Sequence, residues 1–126
     1  MKSLLATLLL VLTSTVAWAE LPSAGDAVVT RALSSGLPTL IDLGSRSCPS
    51  CTQMAPVLEE LAGTYRGKAN VLFIDVREDS AAGKRFAIQM IPTQIFFDAK
   101  GKEVSRHIGF MERDDLIKGL QGAGLK

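Results

Sequence analysis

The chain carries two cysteines, Cys48 and Cys51, and both fall in the stretch GSRSCPSCTQMAP from Gly44 to Pro56. A thiol pair at Cys-x-x-Cys spacing supports three kinds of chemistry. As a structural bridge it would close only a few residues, and the stability gained from a disulfide grows with the loop it closes, so that contribution would be small. As a metal clip it is short of ligands. Zinc takes four from Cys, His and carboxylates, yet there is no second Cys-x-x-Cys and the one histidine, His107, stands far along the chain. Copper(I) would accept two thiolates, with Met90 as a further soft ligand. As a redox pair, one thiolate attacks a substrate disulfide to form a mixed disulfide, and the second displaces the first and releases the reduced substrate.

Exchange of this kind needs two unlike sulfurs, and the flanking sequence predicts unlike positions. Thr39 to Leu43 is a short apolar run between Pro38 and Gly44, which reads as a buried strand with one acid, Asp42, in its middle. From Pro49 the period becomes helical: Met54, Val57, Leu58, Leu61 and Tyr65 recur until Gly67 stops the pattern. Pro49 suits the first helical position, where its missing N–H has no intrahelical partner to lose. Cys48 then stands at the helix tip, near unpaired N–H groups and the positive end of the dipole, both of which favour a thiolate. Arg46 would add to this if its side chain turned inward. Cys51 lies one turn further in and is expected to be the more buried sulfur. Pro56, inside the helix, is expected to bend it.

The remaining elements follow from the same periodicities. Asp26 to Ser35 predicts a helix, Val71 to Val76 a second buried strand, and Ser80 to Gln89 a helix capped by Asp79 or Ser80. Thr93 to Phe97 and Lys102 to Ile108 predict two strands joined by a turn over Asp98–Gly101, and Asp114 to Leu120 a closing helix. Residues 20–25 carry a weak signal for an extra edge strand. Met54, Met90 and Met111 read as core or rim packing, Met90 being the nearest to the site and within reach of substrate, and His107 as a solvated strand residue. Helices between strands imply crossovers and a sheet covered on both faces, a single α/β domain.

Composition narrows the function classes. The formal net charge is +1 with no basic block, which argues against nucleic acid. Residues 1–19 are of another kind: Lys2, an almost wholly apolar run from Leu4 to Leu12, then Ala17-Trp18-Ala19 as a small-x-small cleavage site. This pattern predicts a secretory signal peptide, with a mature domain over 20–126. The run is shorter than the roughly 20 residues a membrane span requires. Export would place the thiols where disulfides form and persist.

The stretch LIDLGSRSCPSCTQMAPVLEELA, the tripeptide Ile91-Pro92-Thr93 and the segment FFDAKGKEVSRHIGF together resemble the thioredoxin family over nearly the whole mature chain. The resemblance implies a thioredoxin fold, a central mixed four- to five-stranded sheet flanked by helices. It further implies a redox disulfide Cys48–Cys51 with Cys48 as nucleophile and Cys51 as resolving thiol, and no metal or cofactor. Asp42 matches the family's buried acid. Burial in an apolar strand raises a carboxyl pKa, which would suit Asp42 to shuttle a proton for Cys51. Ile91, Pro92 in cis, Thr93 and Gly109 match the surface on which an extended substrate chain pairs. The departures are informative. Ser47 stands where most relatives carry tryptophan, Pro49-Ser50 replaces Gly-Pro, and Ser50 takes the place of the histidine found in strong oxidases and isomerases. Val71 replaces a lysine near the acid. With less to stabilise a Cys48 thiolate, the disulfide is expected to be a weaker oxidant. The expected role is therefore reduction of disulfides in exported proteins, in a bacterial periplasm. A monomer drawing electrons from a membrane thiol donor is expected. An oxidase or isomerase on the same scaffold, or a copper(I) carrier, is the alternative.

Overall fold

The computed structural model describes residues 20–126, and the predicted signal peptide lies outside the described residues. The described residues form four helices and four strands: α1 (Asp26–Leu33), β1 (Thr39–Gly44), α2 (Pro49–Thr64), β2 (Asn70–Asp75), α3 (Ser80–Arg85), β3 (Thr93–Phe97), β4 (Glu103–Ile108) and α4 (Arg113–Gly122). The strands form one mixed sheet in the order β2-β1-β3-β4. β1 and β2 run parallel, which the α2 crossover permits, while β3 lies antiparallel to both β1 and β4. The fifth-strand signal at 20–25 amounts to a single parallel bridge, Ser23 with Phe73, on the β2 edge.

Residues of β1 alternate between two apolar clusters, which is why that strand reads as an unbroken apolar run. Leu40 joins Met54, Leu58, Leu61, Phe96, Leu116 and Leu120 beneath α2 and α4. Ile41 and Leu43 join Val29, Ile74, Phe86 and Ile95 beneath α1 and α3. On the first face α4 comes so close that a Cβ at Gly119 would overlap the Phe96 ring.

Helix α3 is shorter than its periodicity suggests. The pattern predicts a helix to Gln89, and the helix stops at Arg85. The reason is local. Ala87 adopts φ +54°, and the N–H groups of Ala87 and Ile88 bond back to the carbonyls of Lys84 and Gly83 at 3.1 and 2.8 Å. That pattern closes a helix with a left-handed residue, here an alanine where glycine is usual. Phe86 meanwhile packs edge-on against Phe97, with ring centroids 6.0 Å apart. Residues 86–91 are thereby freed to run as a loop into β3.

The consequence for function is where the strand ends fall. Gly44 pairs with Asp75, Leu43 with Thr93, and Thr93 with Ile108. The C-terminal ends of β1, β2 and β4 and the N-terminal end of β3 therefore share one edge of the sheet, and the Cys48 loop springs from the middle of it.

Candidate active site

Cys48 is the N-cap of α2, with extended backbone at φ −101° and ψ 117° and Pro49 directly after it. Its sulfur accepts the Cys51 N–H at 3.3 Å, taking up one of the donors that a helix leaves unpaired at its start. The Ser50 hydroxyl lies 3.4 Å from the same sulfur and donates to it. Cys48 and Cys51 are joined in a disulfide, with Cα atoms 5.2 Å apart. Both are buried in this oxidised state, Cys48 at 8% and Cys51 at 3% exposure. The expected contrast in accessibility is thus small, and the difference between the sulfurs lies in their contacts. Cys48 has two hydrogen-bond donors directed at it. Cys51 packs against the backbone of Gly44, where a Cβ would come within 3.0 Å of its sulfur. That close approach explains a glycine at the end of β1.

Asp42 is fully buried on the α2 side of the sheet. Its Oδ1 accepts one hydrogen bond, from Gln94 Nε2 at 3.0 Å, and its Oδ2 is buried without a partner. The same Nε2 lies 3.3 Å from Met54 Sδ. Desolvation raises the Asp42 pKa to about 6, the Gln94 hydrogen bond offsetting part of the rise. Gln94 faces Asp42 across the β1–β3 pairing. It is the clearest functional neighbour absent from the residues that the sequence motifs single out, although an amide inside the fully buried run Thr93–Phe97 is a signal in plain view.

A second buried acid, Asp75, organises the loop before Cys48. Its carboxylate accepts the backbone N–H groups of Arg46 at 3.0 Å, Arg77 at 2.9 Å and Glu78 at 3.2 Å, and the Ser45 hydroxyl reaches it at 3.5 Å. Burial pushes its pKa upward, but these donors outweigh burial and hold it below the usual carboxylate value. Arg46 turns outward, contrary to the inward orientation that would have supported Cys48. Its guanidinium pairs with Glu20 at 3.0 Å, donates to the Leu21 carbonyl at 2.9 Å and stacks 5.1 Å from the centre of the Phe73 ring. The cation beside the cysteine loop is instead Arg77, which donates to Ser47 Oγ. No spacing in the sequence points to it, because the contact joins residues 30 positions apart.

On the other flank of Cys48, the Ile91–Pro92 peptide bond is cis. Thr93 is buried, and its hydroxyl donates to the Met90 carbonyl at 2.7 Å. Gly109, at φ +104°, donates its N–H to the Pro92 carbonyl at 2.8 Å. The structure therefore brings Ile91, Pro92, Thr93 and Gly109 together at the sheet edge that carries Cys48. Around them Met90, Ile108 and Phe110 are exposed.

Comparison with known proteins gives a consistent result. Residues 26–122 match the family model for thioredoxin. A thioredoxin of Staphylococcus saprophyticus is 40% identical over 82 residues, which cover 65% of this chain and 78% of that protein. A thioredoxin of Staphylococcus haemolyticus is 41% identical over 81 residues, covering 64% and 77%. Among solved structures, a mutant thioredoxin from Halobacterium salinarum superposes with a TM-score of 0.72 at 27% identity, over 82% of this chain and 88% of that one. With the fold, the helix-tip disulfide and these likenesses in agreement, the chain belongs to the thioredoxin family and is a thiol–disulfide oxidoreductase.

Proposed function

We propose that this protein reduces disulfides in exported proteins. The Cys48 thiolate attacks one sulfur of a substrate disulfide; a Cys48–substrate disulfide forms and the other substrate sulfur leaves as a thiolate, which takes up a proton. Cys51 then loses its proton to Asp42 and attacks the Cys48 sulfur. The second substrate sulfur departs and the Cys48–Cys51 disulfide is left. Two electrons have passed to the substrate, and a membrane thiol donor restores the dithiol. Ile91, Pro92, Thr93 and Gly109 hold the substrate chain during the attack, and the protein works as a monomer.

The observation that carries this reading is the Cys48 sulfur at the tip of α2, hydrogen-bonded by the Cys51 N–H, on a loop whose leading strand holds an acid with a pKa of about 6. A thiolate at that position is stabilised by N–H groups and the helix dipole. A carboxyl titrating near 6 can take a proton and give it up around neutral pH. The direction of flow rests on what surrounds the sulfur. Its hydrogen-bonding neighbours are a backbone amide and a neutral hydroxyl, so the thiolate gains less than it would beside an imidazolium. The potential is expected near the reducing end of the family range, closer to about −270 mV than to about −120 mV. Export rests on the composition of residues 1–19.

The test is reduction of insulin by the purified mature chain with dithiothreitol as donor. Accelerated precipitation that is lost in Cys48→Ser supports the reading, and no acceleration over dithiothreitol alone rejects it. Equilibration against a glutathione series then separates reductase from oxidase.

A further inference from the structure

The strand order places two unlike surfaces on either side of Cys48. Beyond β3 and β4 the rim carries the exposed apolar side chains Met90, Ile108 and Phe110, with Lys84 and Arg106 at its margins. Beyond β2 the rim is Arg77, exposed and reaching Ser47, the residue immediately before Cys48. The guanidinium donates to Ser47 Oγ, and the backbone that carries it is anchored separately. Asp75 binds the Arg77 N–H and the Arg46 N–H at once, so the backbones carrying Arg77 and Ser47 are tied to one buried carboxylate. Among the described residues Arg46, Arg85, Arg106 and Arg113 each pair with a carboxylate, and Arg77 pairs with none. Glu78, the nearest acid in sequence, forms no ion pair with it. A cation with no ion-pair partner, on a backbone anchored to the Asp75 carboxylate, thus stands at one flank of the attacking sulfur and a largely apolar surface at the other.

We infer that Arg77 is a specificity residue that selects disulfides flanked by a carboxylate on the side facing β2. The inference rests on the exchange reading above and adds the class of substrate. A carboxylate beside the target disulfide would otherwise repel the incoming Cys48 thiolate. Arg77 cancels that repulsion and offers a planar pair of N–H donors to the acid. A lysine at the same substrate position would face the guanidinium directly. Charge complementarity of this exposed kind acts mainly on the rate of encounter and weakens with salt.

The experiment uses the pre-reduced mature protein and two synthetic peptides. Each holds one intramolecular disulfide, and they differ only in Glu or Lys beside the cysteines. Second-order rate constants are measured by stopped flow. The wild type is expected to reduce the Glu peptide roughly threefold to fivefold faster at low salt, the size an exposed ion pair supports, with the contrast shrinking in about 0.5 M salt. Arg77→Lys should keep the contrast, Arg77→Ala should remove it, and Arg77→Glu should reverse it. Equal rates for the two peptides in the wild type, or a contrast unchanged in Arg77→Ala and Arg77→Glu, would overturn the inference. Failure of the wild type to reduce either peptide would instead overturn the exchange reading, and this inference with it.

Discussion

Two aspartates sit in neighbouring strands of the same sheet, both nearly inaccessible to solvent, and they titrate in opposite directions. Asp42 in β1 has one hydrogen-bond donor and a pKa raised to about 6. Asp75 in β2 has three backbone donors and a hydroxyl, and its pKa is lowered. Burial alone raises a carboxyl pKa, so what separates them is how many N–H groups are aimed at the charge. Asp42 lies mid-strand, where neighbouring amides are spent on the ladder and only a side chain can reach it. Asp75 lies at the strand end, where the chain turns and amides come free. The first environment makes a group that can exchange a proton near neutrality. The second makes a permanent anion that anchors a loop.

Removing the anchor should have the largest effect. Asp75→Ala leaves three loop N–H groups without their acceptor, at about 1–3 kcal/mol for each that stays buried and unpaired. Urea unfolding is expected to show a loss of at least about 3 kcal/mol at pH 7. For Asp75 the folded pKa lies below the unfolded value, so its contribution is present above pH 3.8 and is lost as pH falls below it. An Asp75→Ala protein as stable as the wild type would erase the contrast between the two acids.

Asp42→Asn should act with the opposite sign. The folded pKa of about 6 exceeds the reference value of 3.8, so the folded state binds more protons between these pH values. The stability Asp42 contributes is complete below pH 3.8 and is lost as pH rises through 6, about 3 kcal/mol in all. A neutral amide at this position carries no such penalty. The variant is expected to be about 1–3 kcal/mol more stable than the wild type at pH 7, the lower figure allowing for an unpaired buried amide, with no gain at pH 3.5. Its single-turnover resolution of the mixed disulfide should fall by about 10²-fold, the lower end of what a positioned proton carrier supplies. Destabilisation at pH 7 would contradict the assignment.

A smaller change sharpens the comparison. Gln94→Leu removes the one donor to Asp42, worth about 1 kcal/mol. The carboxyl carbon resonance of Asp42, followed by NMR against pH, should show its midpoint move above 6. A downward move would mean that something other than desolvation sets the value.

The residues of this site are legible in the sequence to different depths. Cys48, Cys51, Asp42 and Pro92 stand in local patterns, an apolar run, a helix start and a short motif, and the strands and α2 that carry them follow from apolar periodicity. Gln94, Asp75 and Arg77 act through register and turn geometry. Gln94 matters because position 94 pairs with 42, and Asp75 because the loops at 46 and 77 converge on it. Neither relation has a period to detect. Arg46 shows the converse. Its place two residues before Cys48 suggests a supporting cation, yet Glu20 and the Phe73 ring hold it away. Periodicity overextends helix α3 because its end depends on Ala87 taking a left-handed conformation that its side chain does not advertise.

The most direct measurement is the pH dependence of alkylation of the reduced protein by iodoacetamide, with modified cysteines mapped by mass spectrometry. Cys48 is expected to react first, with a midpoint clearly below the value of about 8.5 for a free thiol, while Cys51 reacts slowly throughout. Equal rates at the two cysteines, both titrating near the free-thiol value, would contradict an attacking sulfur at the tip of α2 backed by a resolving partner.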